Sequence, residues 1–104
     1  MSIEADEIRY RPKPRLLVRA VAGEAVLLDL DRGCYFGLNE TGRRVWELVA
    51  DDGATVKTAL QTLESEFAAP AEELAADVSA VLGDLERQGL LLREGAGTAS
   101  ESRA

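Results

Sequence analysis

At Asn39 the hydrophobic period of this chain changes from two residues to 3.6. Before that point apolar residues alternate as in strands, and after it they recur as on helix faces. A sheet must therefore be laid down first and then covered by helices, which is an α+β order. Arg15–Val21 is the first strand candidate. After Ala22-Gly23, the segment Glu24–Leu30 is expected to bury Val26, Leu28 and Leu30 and to turn Asp29 outward. Asp31-Arg32-Gly33 reads as a hairpin loop with glycine supplying a positive φ, and the chain returns along Cys34–Leu38. The three strands make an antiparallel meander whose last member lies at an edge.

The helical half is punctuated clearly. Asn39 or Thr41 caps a first helix reaching about Ala50, with Val45, Trp46, Leu48 and Val49 on its apolar side and Asp51-Asp52-Gly53 ending it. Thr55 caps a second helix with a stripe of Val56, Leu60, Leu63 and Phe67. Pro70 opens a third, in which Leu74, Val78, Val81, Leu82 and Leu85 form the stripe, and Gly89 is placed to end it. Leu90–Arg93 adds a short closing strand. The expected fold is a winged helix-turn-helix, with a three-stranded antiparallel sheet followed by three helices. Residues 1–14, with Pro12 and Pro14, read as a flexible arm, 15–93 as the folded domain, and 94–104 as a disordered tail poor in large apolar residues.

Gly33–Asn39 is the least guarded stretch of the chain. Charged residues are 30% of the whole, yet this segment has no Lys, Glu, Asp or Pro to discourage another backbone from pairing with it. An added strand gains affinity from main-chain hydrogen bonds and specificity from side-chain pockets, so the partner this edge fits is a peptide. Cys34, Tyr35, Phe36, Gly37 and Leu38 are the candidate docking residues, and Phe36 is the natural place to test the ladder with proline. On the third helix Asp77, Val81, Asp84 and Gln88 form a line beside the core stripe. They could face the same ligand or simply face water.

Composition excludes other classes. Ala20–Arg93 holds six basic and fourteen acidic residues, a net −8, while only Met1–Arg19 is basic, with five against three. A nucleic-acid binder needs a Lys/Arg face to neutralise phosphates, so a winged-helix DNA regulator is the disfavoured alternative. With no histidine and one cysteine, neither a Cys-His or Ser-His nucleophile nor a zinc or iron site can be assembled. Cys34 is read as a half-buried thiol, Trp46 as core, and Asp29/Asp31 and Asp51/Asp52 as solvated rather than acid–base pairs. No catalytic residue, metal or cofactor is expected. The single cysteine fits a reducing cytoplasm, and no segment approaches the roughly 20 apolar residues of a membrane span.

Together these residues resemble the PqqD-like family, the RiPP recognition elements that hold the leader of a ribosomally made precursor peptide for its processing enzymes. The resemblance covers about Leu16–Leu92. It is carried by Val26-Leu27-Leu28-Asp29-Leu30, by Tyr35-Phe36-Gly37-Leu38-Asn39-x-Thr41-Gly42 with Trp46-Glu47-Leu48, and by Asp77-Val78-x-x-Val81-Leu82-x-x-Leu85-x-x-x-Gly89-Leu90-Leu91. It implies a non-catalytic adaptor in which the leader adds an antiparallel strand beside Cys34–Leu38 and packs against Asp77, Val81, Asp84 and Leu85. The aromatic-Gly-Leu-Asn-x-Thr-Gly run is similar to stand-alone proteins of lasso-peptide pathways, which work beside a leader peptidase and a cyclase. A PqqD-type partner of a radical-SAM enzyme in pyrroloquinoline quinone or other RiPP biosynthesis is the alternative. Oligomeric state is not encoded legibly.

Overall fold

The computed structural model describes residues 8–94. Residues 1–7 and 95–104, which hold half of the expected arm and all but the first residue of the expected tail, lie outside the described residues. Five strands and three helices follow in the order β1 Arg9–Pro12, β2 Leu16–Val21, β3 Glu24–Asp29, β4 Cys34–Leu38, α1 Glu40–Trp46, α2 Val56–Glu66, α3 Ala71–Arg87 and β5 Leu91–Glu94. Strands β2, β3 and β4 form the expected antiparallel meander, and β1 pairs with β5 in a separate two-stranded sheet. The α+β reading of sheet followed by three helices holds.

Local chemistry places the element boundaries. Ala22 and Gly23 both have positive φ, as a two-residue hairpin between β2 and β3 requires. The Asn39 side chain accepts the Gly42 N–H at 2.8 Å and starts α1. That helix continues into a π-helical turn over Glu47–Asp51, closed by Asp52 N–H donating to the Glu47 carbonyl at 2.9 Å. Thr55 caps α2 by accepting from the Thr58 N–H. At the other end of the domain α3 stops where Gly89 takes φ +74°. There Gly89 N–H reaches the Glu86 carbonyl and Leu90 N–H the Leu85 carbonyl, the paired bonds of a Schellman end.

The core lies between the helices and the inner face of β3 and β4. Leu27, Trp46, Leu63, Val78 and Leu85 are all buried in it, so Trp46 is core as expected. Two expectations are corrected. The inner face of β3 is Ala25, Leu27 and Asp29, while Val26 and Leu28 are only half-buried and Leu30 is exposed. Both alternating sets were available to the strand, and the choice goes to the one containing Asp29 because a long-range lysine, an arginine of the adjoining loop and loop N–H groups satisfy its carboxylate. Lys13 Nζ lies 3.2 Å and Arg32 Nε 2.9 Å from it, and the Asp31 and Arg32 main-chain N–H groups donate to Oδ1.

The second correction concerns the arm, of which residues 9–12 are a strand. Tyr10 is buried there, its hydroxyl donating to Glu86 at 3.3 Å, and Arg93 lies over the ring at 5.8 Å. One inward aromatic in a four-residue charged segment leaves no readable alternation. The remaining turn is fixed by Lys13 N–H donating to the Leu90 carbonyl.

Candidate functional site

Among the described residues, sheet order puts β4 at an edge, with β3 on one side and no strand on the other. Which of its main-chain groups face that open side follows from the ladder. Leu30 N–H donates to the Arg15 carbonyl, so alternate β3 residues, Leu28, Val26 and Glu24, also direct their main-chain groups to β2. Asp29, Leu27 and Ala25 therefore serve β4, where they oppose Cys34, Phe36 and Leu38. Tyr35 and Gly37 are left with N–H and C=O groups directed to the open edge. An unpaired pair of residues of this kind is a template for another backbone.

Side chains divide by the same alternation. Cys34, Phe36 and Leu38 lie on the helix side of β4; Cys34 is exposed, Phe36 half-buried and Leu38 buried. The thiol expected to be half-buried is thus open to solvent. Tyr35 is 75% exposed on the outer side, in a cross-strand row with Leu28 and Leu17. Gly37 is exposed, and a Cβ at that position would meet nothing within 4 Å.

Opposite the open edge stands α3. Phe36–Asn39, Gly42, Val81 and Asp84 line a hollow with a volume of about 280 Å³. A smaller one, about 20 Å³, adjoins it at the hairpin end between Cys34–Phe36, Arg32, Gln88 and Leu90, with Phe36 shared by the two. The two hollows between them border the whole of β4, and together they are called the groove. Gly42 is tightly fitted at its side, since a Cβ there would come within 3.2–3.3 Å of Leu38 and Asn39 atoms.

Of the expected α3 residues, Val81 and Asp84 line this groove, and Asp84 pairs with Arg87. Asp77 is exposed one turn before Val81, outside the lining. Leu85 is not a surface residue at all; it has 0% exposure and belongs to the core. Arg32, Asn39 and Leu90 line the groove but were missed. Asn39 and Arg32 looked like cap and loop residues, and only the fold shows that these roles place them beside β4.

The electrostatics give little purchase for acid–base chemistry. Burial alone raises the Asp29 carboxyl, but the Arg32 N–H and the Lys13 ammonium outweigh it and leave the group below the usual carboxylate range. Asp31 is likewise held low by Arg15 and Lys13. A general acid needs the opposite shift. Asp51 is raised by partial burial, by Asp52 and by Glu47, but it lies outside the groove. Among the described residues no group of three His, Cys, Asp or Glu side chains could hold a metal ion.

The lowered Asp29 value has a testable sign. An unfolded aspartate titrates near about 3.9, so stability from the ionised form is complete above that value and is lost as pH falls through the lower folded value. The denaturation midpoint should drop on acidification below about pH 4, and Asp29→Asn should flatten that drop. An unchanged acid limb in the variant would remove Asp29 from the account.

A profile of the family described as coenzyme PQQ synthesis protein D (PqqD) matches residues 24–91. The chain belongs to the PqqD family. That match spans β3, β4, all three helices and the first residue of β5, so it contains both walls of the groove. Two solved structures are similar to this PqqD-family chain. One is TbiB1 in complex with the TbiA(beta) leader peptide, at 27% identity and TM-score 0.71, covering 82% of this chain and 95% of that one. The other is a lasso peptide synthetase B1 complexed with the leader peptide, at 27% identity and TM-score 0.72, covering 81% and 98%. Among curated proteins none matches the chain.

Proposed function

We propose that this PqqD-family protein is a non-catalytic adaptor that binds the leader of a ribosomally made precursor peptide by strand addition to β4. The observation that carries the reading is the open edge at Tyr35 and Gly37 running beside a groove walled by Val81 and Asp84. An added strand would take its main-chain bonds from those two residues and its apolar contacts from Phe36 and Leu38. The structural neighbours support a lasso-peptide leader over one from pyrroloquinoline quinone biosynthesis, since both hold leader peptides and one is a lasso peptide synthetase B1. The protein would act in the cytoplasm, where its single cysteine would stay reduced. None of the described helices is long and apolar enough to cross a membrane.

Hydrogen exchange tests the edge directly. Adding the leader peptide of the cognate precursor should slow exchange at the Tyr35 and Gly37 amides, and leave the already bonded Phe36 amide little changed. Slowing confined to residues away from β4 would overturn the assignment.

A peptide in the groove must then meet its processing enzyme, a leader peptidase or cyclase, and the outer sheet face is available for that. Leu17 and Tyr35 flank Leu28 across three strands, with Val21 also exposed, and a solvated row of this kind is a protein-contact feature. Tyr35→Ser keeps the main-chain groups, so it should leave leader affinity within about twofold, well under the tenfold that 1.4 kcal/mol represents, while slowing processing by the partner enzyme. Unaltered processing would exclude this face.

A further inference from the structure

The groove beside β4 is not electrically uniform along its length. We propose that it reads the charge order of the bound leader, with a basic side chain held at the Leu38 end by Asp84 and a carboxylate held at the Cys34 end by Arg32. This rests on the strand-addition reading and adds Arg32 as a specificity-determining residue, with Asp29 as its positioning partner.

Arg32 is a held donor. Its Nε bonds Asp29 Oδ2 at 2.9 Å, its Nη2 bonds the Gln88 carbonyl at the end of α3, and its side chain remains 48% exposed where it lines the groove. Among the described residues Nη1 makes no hydrogen bond, which leaves its two N–H groups and the second one of Nη2 for a ligand. The anchoring carboxylate is itself 2% exposed. Burying a charge is unfavourable unless it is paired, and an apolar residue would continue the Ala25–Leu27 face more simply. What the buried Asp29 provides is a guanidinium that cannot swing away from the mouth of the groove. A fixed fork loses less conformational freedom when a carboxylate arrives.

The surroundings have the same polarity. At the hairpin end Lys13, Arg15 and Arg32 gather around Asp29 and Asp31, three cations against two carboxylates. At the other end Asp84 pairs with Arg87, and Asp77 and Glu73 add two further acidic residues two and three turns earlier on α3. Direction follows from the sheet, which is antiparallel throughout, the slightly more stable arrangement per residue. A strand added antiparallel to β4 enters beside Leu38 and leaves beside Cys34. The basic residue therefore precedes the pairing segment and the acidic residue follows it, about 20 Å further on for a five-residue strand.

The test uses two labelled synthetic peptides of identical composition. One carries two lysines, a five-residue Val/Thr segment and two glutamates in that order, and the other carries the charges reversed. Fluorescence anisotropy at low salt should give the lysine-first peptide about tenfold tighter binding, narrowing towards parity at high salt as charges are screened. Arg32→Gln should reduce that preference to about threefold, and Arg32→Lys should restore part of it. The peptide swap needs no mutation, so a poorly folded variant does not shield the idea. Equal affinities, or a reversed preference, with both peptides released by Gly37→Pro, would overturn the charge order and leave strand addition standing. Binding of neither peptide would remove strand addition and the charge order with it.

Discussion

Proline at Gly37 is expected to leave the domain folded and to weaken leader binding by about thirtyfold. The ring deletes an N–H that pairs with no described residue of the free protein, because that group faces the open side of β4. In the complex the same deletion removes one ladder bond and strands a leader carbonyl, a loss on the order of 2 kcal/mol, or about thirtyfold in Kd. Gly37→Ala is the matched control. It keeps the N–H, and its Cβ enters space with no atom within 4 Å, so affinity should stay within about twofold. Phe36→Pro is the less informative choice, since Phe36 serves the β3 side and its loss would damage the hairpin itself. Wild-type affinity in a Gly37→Pro protein with native circular dichroism would end the strand-addition account.

That shift of one residue shows where sequence reasoning stops. The existence of the edge was legible, because a strand without Lys, Glu, Asp or Pro came last in a meander. Which of its amides point outward depends on a ladder set two strands away, by Leu30 and Arg15. The faces of β3 failed for a related reason. Hydropathy favoured Val26, Leu28 and Leu30, and it takes Lys13, brought in by a tertiary contact, with Arg32 of the same hairpin loop to make Asp29 an acceptable inward residue. Local signals were reliable where the chemistry was local: Asn39 and Thr55 cap α1 and α2, and Gly89 closes α3 through bonds within five residues. Strand β1 was hidden because its whole commitment to the core is one side chain, Tyr10.

Leu85 and Val81, one turn apart on α3 and read alike from the sequence, should separate cleanly on truncation to alanine. Leu85 has no exposed surface, so its loss opens a cavity and should cost about 2–5 kcal/mol. In a domain of this size that lowers Tm by at least about 10 °C. Val81 is half-buried and lines the groove, and the groove wall can relax into solvent when it is shortened. Its truncation should cost only about 1 kcal/mol of stability, but should weaken leader binding several-fold through the lost apolar contact. The decisive comparison is affinity measured below the transition of each variant. Folded Leu85→Ala should bind nearly as wild type while folded Val81→Ala does not. The reverse pattern would mean that the leader reaches Leu85 by opening the core, and that the groove seen between β4 and α3 is not where it lies.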